Sequence, residues 1–268
     1  MQTDLIITTY NRPEALDLVL AAACAQTVPP AAILVADDGS GPDTAAVVKR
    51  HAASSPVPIR HLWQEDRGFR AARSRNMAMA AARSEYLVFI DGDMVPSRDF
   101  IADHLMMAKR GIFVQGSRVL VSRELTEKVI REGWQEPGIF SPGIENRKNL
   151  LRLPALARLL FRPCRSDHGI RTCNFACWRD EAIRVNGFNE EFKGWGREDS
   201  EFAVRLLNSG VRRVNLKFMA RACHLFHPEA ERTGLAANDK ILDMARLHGT
   251  TRCEIGVARH LAGERDDK

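Results

Sequence analysis

In the first half of the chain, short apolar β-branched runs alternate with segments of helical spacing, and polar clusters follow several of the runs. Residues 4–9 form a compact apolar run of the kind that builds a strand buried on both faces. Pro13 then opens residues 13–26, which carry helical apolar spacing. Residues 33–36 read as a second buried strand, ending at Asp37-Asp38-Gly39-Ser40. Residues 43–51 are a short helix and 59–63 a third strand. The alanine-rich stretch 71–82 favours a helix. Residues 86–90 are a fourth strand, ending at Asp91-Gly92-Asp93. Residues 98–108 are helical and 113–121 strand-like. This alternation predicts an α/β chain with a doubly wound, mostly parallel sheet. Ligands of such sheets gather at the carboxyl ends of the strands. The clusters after strands one, two and four are therefore expected to face one crevice.

The second half is less regular. Residues 133–149 are rich in Gly, Pro and Asn and read as a long loop. Residues 149–165 carry leucines and Phe161, with Arg147, Lys148, Arg152, Arg158, Arg162 and Arg165 in and beside them and Glu145 the one acid nearby. Such a segment either lies on an anionic membrane surface or packs its leucines on the core as a surface helix. Residues 179–185 read as a helix before the turn at Gly187-Phe188. A loop from Gly194 leads into a helix at 198–209. A short strand at 214–216 and a helix at 238–248 follow, and 264–268 form a charged, frayed tail. No internal repeat is visible.

Of the 268 residues, 45% are hydrophobic and 27% charged, an ordinary soluble composition. No apolar run approaches the roughly 20 residues of a membrane-spanning helix. The opening Met1-Gln2-Thr3-Asp4 lacks a basic segment and apolar core of a signal peptide, so a cytoplasmic location is expected, peripheral on the inner membrane face if 149–165 touches lipid. The six cysteines lack a paired rhythm and read as reduced, mostly buried residues. A net charge of +5 suits an anionic partner. The arginines come without a zinc-finger, helix-turn-helix or RNA-binding aromatic signature, which argues against nucleic acid.

Five constellations carry chemistry. Asp91 and Asp93, separated by a glycine, can approach one hard divalent cation from a tight turn, or simply form a solvated strand-end turn. Asp37 and Asp38 can accept hydrogen bonds from a base or ribose, with Thr8 and Thr9 adding polar contacts. Arg67-Gly68-Phe69-Arg70 and Arg73-Ser74-Arg75-Asn76 bring arginine forks that match phosphate oxygens, or form a solvated basic helix face. In Trp195-Gly196-Arg197-Glu198-Asp199 the indole can stack on a sugar while two acids divide acceptor binding and proton removal. The alternative is a helix start whose acids complement the dipole. Cys223-His224-Leu225-Phe226-His227 offers imidazoles to a metal.

Taken in order, Thr-Thr-Tyr-Asn-Arg-Pro, Asp-Asp-Gly-Ser, Gly-x-x-x-Ala-x-x-Arg-Asn, Asp-Gly-Asp and Trp-Gly-x-Glu-Asp resemble glycosyltransferase family 2, which has the GT-A fold. The last motif also resembles the C-terminal part of β-1,4-galactosyltransferases, chondroitin polymerases and polypeptide N-acetylgalactosaminyltransferases. The resemblance implies a nucleotide-sugar-binding half, 1–125, and an acceptor-binding half, 126–268, of one continuous domain. It implies donor contacts from Thr9, Asn11, Arg12, Asp37, Asp38, Arg67, Arg75, Asn76 and Asp91. Asp93 and His224 would hold Mn²⁺ or Mg²⁺, with Asp91 and His227 as further ligand candidates. Trp195 and Glu198 would bind the acceptor, and Asp199 would be the catalytic base. The implied reaction is inverting transfer of a hexose or N-acetylhexosamine from a UDP-sugar to a hydroxyl of a glycan or lipid-linked glycan, in polysaccharide or lipopolysaccharide synthesis. Two alternatives are a retaining enzyme of the same fold and a non-catalytic sugar or nucleotide binder. A nucleotidyltransferase is disfavoured, since no glycine-rich phosphate loop follows the first strand.

Overall fold

Leu5, Ile6 and Ile7 are fully buried, and their alternation sets the layers. Leu5 and Ile7 pack in one cluster with Leu16, Val19 and Leu20 of the helix Pro13–Cys24. Ile6 faces the opposite cluster, with Met79 of the helix Ala71–Ala81, Phe89 and Phe188. A strand covered on both faces reads as an unbroken apolar run. In the computed structural model, which describes residues 1–228 and 234–261, this strand is β1, Thr3–Thr9. The charged tail expected at 264–268 lies outside the described residues.

The further strands are β2 (Ala32–Asp37), β3 (Ile59–Trp63), β4 (Tyr86–Asp91), β5 (Met94–Pro96), β6 (Ile112–Gln115), β7 (Val119–Val121), β8 (Ile144–Glu145), β9 (Asn174–Trp178), β10 (Arg212–Asn215) and β11 (Ala222–His224). A seven-stranded sheet runs in the order β10-β6-β9-β4-β1-β2-β3, and a second, four-stranded sheet in the order β5-β11-β7-β8. In the large sheet β1 pairs in parallel with β2 and β4, β2 with β3, and β6 with β10. Only β9 runs against its neighbours. The mostly parallel, layered α/β architecture is as expected from the alternation.

The differences from expectation have physical causes. Residues 113–121 do not form one strand but split into β6 and β7, in different sheets. The break falls at Gly116, where an added Cβ would lie 2.2 Å from Asn174 Oδ1. The Asn174 amide donates to Ser117 O and Ala220 O at 2.8 Å each. Strand β9 was not legible. Its residues alternate between the two clusters, Ala176 and Trp178 in one and Phe175 and Cys177 in the other, so both faces are apolar. The helix Arg123–Glu132, capped by Ser122, was also missed.

Residues 149–165 are not one long helix. A 3₁₀ turn, Arg147–Leu150, and a short helix, Pro154–Leu159, interrupt irregular chain. Packing overrides the leucine pattern here. Leu153 N–H donates to Phe218 O at 2.9 Å, and Cys164 bridges to Arg213. Arg152 grips the fully buried Asp103 carboxylate at 2.7 Å. Among the described residues no helix is long and apolar enough to cross a membrane.

Candidate active site

Parallel strands in register end on one edge, and the register here pairs Thr9 with Asp37 and Thr8 with Asp91. Three of the polar clusters therefore meet. Asn11 holds the first turn in the left-handed region, at φ 47°, which Asn tolerates. Its N–H donates to Ser40 Oγ at 2.8 Å, and its side-chain oxygen accepts from Gly41 N–H at 2.9 Å. The ends of β1 and β2 are thus tied together.

Asp37 is fully buried and spends both oxygens internally, on Ser40 N–H at 2.8 Å and His61 Nε2 at 2.7 Å. Burial alone would raise its pKa, but these hydrogen bonds outweigh burial and hold it below the usual carboxylate range. Asp38 accepts from Arg70 N–H at 2.7 Å and from the Gln64 amide. Burial still leaves its pKa raised. Neither Gln64 nor the Arg70 backbone was singled out by sequence. Thr9 Oγ1 is buried and has no hydrogen-bond partner among the described residues.

The second half of the chain completes the crevice. Strand β11 pairs antiparallel with β5, setting His224 beside Met94, and Leu225 N–H donates to Asp93 O at 2.9 Å. His224 Nε2 lies 3.6 Å from Asp93 Oδ1, and His227 Nε2 lies 3.4 Å from Asp93 Oδ2. Ligand atoms of these three residues fall within 4.8 Å of one another. Asp91 stands outside this group.

The three fit a divalent cation. Asp93 Oδ1 is buried with no hydrogen-bond partner among the described residues. Burial pushes the His224 pKa down to about 4, so at neutral pH its imidazole is uncharged and can donate a lone pair. Arg12 shares the Oδ2 oxygen with His227, donating to it at 2.7 Å and to Phe226 O at 3.0 Å.

Arg75 connects the two halves. It is almost fully buried on the helix Ala71–Ala81. Its Nε donates to Thr8 Oγ1 at 3.1 Å, and one terminal nitrogen donates to Glu198 Oε1 at 3.2 Å and Asp199 Oδ1 at 3.1 Å. The other terminal nitrogen lies 3.5 Å from Asp91 Oδ1. Burial raises the pKa of both Asp91 and Glu198 to about 7 against the pull of Arg75. Glu198 and Asp199 open the helix Glu198–Asn208, entered through a left-handed Arg197. Asp199 is also held by Thr172, whose N–H donates to Oδ2 at 2.9 Å and whose hydroxyl donates to Oδ1 at 2.6 Å. Thr172 carried no sequence signal. Trp195 is 40% exposed in the loop before these acids.

Two further expected donor contacts take partners within the protein. Asn76 is fully buried, donating to Phe188 O and Glu190 Oε1 and accepting from Phe188 N–H at 2.8 Å. It anchors the Gly187-Phe188 turn, because the Arg and Asn of this pair leave their helix in different directions. Arg67 is exposed and pairs with Glu65 at 2.6 Å.

A mostly parallel sheet with acids at its strand ends, a histidine pair on the metal-fitting aspartate and a paired acid at a helix start together define a glycosyltransferase of the GT-A class. The profile of glycosyl transferase family 2 matches residues 4–165, and this chain belongs to that family. The N-terminal domain of galactosyltransferase matches residues 158–228. The chondroitin synthase of Pasteurella multocida strain Pm70 is 28% identical over 222 residues, covering 77% of this chain and 23% of that protein. The chain spans about a quarter of the length of the polysaccharide synthases it matches. S. aureus TarS residues 1–349, solved in complex with UDP, shares the fold at a TM-score of 0.63 and 17% identity, covering 98% of this chain and 70% of that one. The mannosyltransferase PcManGT of Pyrobaculum calidifontis, in complex with GDP-Man and Mn²⁺, shares it at 0.59 and 18%, covering 100% of this chain and 76% of that one.

Proposed function

We propose that this chain is an inverting, metal-dependent glycosyltransferase that moves a hexose or N-acetylhexosamine from a UDP-sugar to a hydroxyl of a glycan, free or lipid-linked, in the synthesis of a surface polysaccharide. The observation that carries this reading is the bridge made by Arg75, which ties Asp91 at a strand end to Asp199 at a helix start. Thr8, Thr9 and Asp38 line the end of the sheet where the nucleoside would sit. Asp93, His224 and His227 would hold Mn²⁺ or Mg²⁺, which supplies positive charge to the diphosphate as it leaves. Arg12, already on Asp93, is in reach to add a second positive charge. Trp195 offers a flat apolar face to the acceptor sugar, and Glu198 an acceptor for its hydroxyls. Asp199 removes the proton of the attacking hydroxyl. The hydroxyl oxygen then bonds to the anomeric carbon as the bond to the nucleoside diphosphate breaks. With one base on one face, a single displacement inverts the configuration. TarS in complex with UDP supports the donor class, and the Mn²⁺ of PcManGT supports the metal.

The test is nucleotide release from a panel of nucleotide sugars, with Mn²⁺ or chelator, and with glycan acceptors. Wild type is expected to release UDP in a metal-dependent way. Asp93→Ala should abolish metal dependence, and Asp199→Asn should lower kcat by about 10²–10⁴-fold, the usual worth of a general base. Product anomers read by NMR decide inversion. Calorimetric binding of UDP-sugar without turnover on any acceptor would instead identify a non-catalytic binder.

A further inference from the structure

We propose that residues 147–165, with the cleft beneath them, dock this chain on an anionic lipid bilayer. The inference is independent of the transferase reading, because membrane binding is read without turnover. The segment contains six cations and no carboxylate. One cation, Arg152, is consumed inside by Asp103, and with the buried Ala157 it pins the segment to the body. Leu150 is also buried and Phe161 half-buried, and most of the other side chains face outward. Leu159 is 76% exposed, with Leu156 and Leu160 also exposed beside it. Arg158, Arg162 and Arg165 are exposed, and among the described residues none of them makes an ion pair. Exposed leucines interleaved with unpaired arginines are a poor surface for water and a good one for a headgroup layer over acyl chains.

Against the segment lies a cleft of about 290 Å³ lined by Met106, Met107, Ala108, Lys109, Arg158 and Phe161. Two methionines, an alanine and a phenylalanine share this lining with two cations. That combination suits a phosphate headgroup with the first carbons of its tail. Charge and apolarity therefore coincide on one surface, and a phospholipid bilayer satisfies both.

The experiment is flotation of the full chain with phosphatidylglycerol–phosphatidylcholine vesicles and with phosphatidylcholine vesicles, at low and high salt. Wild type is expected to float with the anionic vesicles at low salt only. One cation at such a surface changes partitioning roughly fivefold, so R158E/R162E should lower it by at least about 25-fold. L159S/L160S should lower it with both cations present. K49E/R83E removes the same charge from exposed sites elsewhere and should bind nearly as wild type. Unchanged melting temperatures show that the variants fold. The proposal is overturned if wild type stays at the bottom at low salt, or if K49E/R83E loses as much as R158E/R162E. It is equally overturned if sedimentation shows a dimer that L159S/L160S dissociates while vesicle binding is unchanged.

Discussion

Asp199 accepts three hydrogen bonds in the described structure, two from Thr172 and one from Arg75. As the proposed base, Asp199 needs a fixed orientation, and the Thr172 hydroxyl supplies part of it. Thr172→Val keeps the backbone N–H and the shape while removing the hydroxyl. Steady-state kinetics should show kcat down roughly tenfold with donor KM little changed, consistent with a hydrogen bond to a charged group worth about 1.5–3 kcal/mol. Thr172→Ser should recover most of it. A valine variant with wild-type kcat beside an impaired serine variant would mean that the methyl group's packing, not the hydroxyl, matters. At this scale the sequence was informative about acids and histidines, because few other groups bind metal or remove protons. It was silent about Thr172 and Gln64, whose chemistry is common and whose role comes from position. It also could not separate Arg75 from Asn76, neighbours whose side chains turn to different partners.

Among the elements, β9 decides how the two halves join. It inserts antiparallel between β4 and β6, so residues from the second half sit inside the sheet built by the first. Asn174 at its start is buried and fully engaged, with His104 Nε2 at 2.9 Å as a third partner. Gly116 leaves room for it. Gly116→Ala would drive a Cβ into a side chain that cannot yield without breaking these bonds. The expected loss is about 3 kcal/mol of stability, since overpacking and a broken buried hydrogen bond add. For a chain of this size that is roughly 6–12 °C in Tm by calorimetry. An unchanged Tm would show that the Asn174 side chain moves aside freely. Strands β1, β2 and β4 were legible because each is an apolar run stopped by polar residues. Strand β9 was not, since Asn174–Trp178 has no period that separates a doubly buried strand from a helix.

For the whole molecule, the buried acids should make stability depend on pH. Burial chiefly, and the Asp199 charge next, raise Glu198 from its ordinary 4.5 to about 7. Between those values the folded protein keeps a proton that the unfolded chain has lost. Stability therefore falls as pH rises from about 4.5 to about 7. Asp91, also raised to about 7 chiefly by burial, acts in the same direction. Urea titrations of the metal-free, donor-free protein at pH 5 and pH 7.5 should show this fall, with Glu198 contributing on the order of 3 kcal/mol. Glu198→Gln should reduce the slope. A variant with the wild-type slope would mean that Glu198 is ionised in the folded state throughout this range.

The sequence by itself determined the layered α/β class, the strand ends where the acids of the first half gather, and the residue types fit to hold a cation. Those follow from local patterns: apolar runs, turn residues and the spacing of carboxylates. Only the tertiary structure decided that Asp93 meets His224 and His227, that Arg75 spans 124 positions to reach Asp199, and that residues 149–165 lie pinned and broken on the surface. Contacts of that range depend on which strand lies beside which, and a near-uniform apolar strand such as β9 carries no local signal of its neighbours.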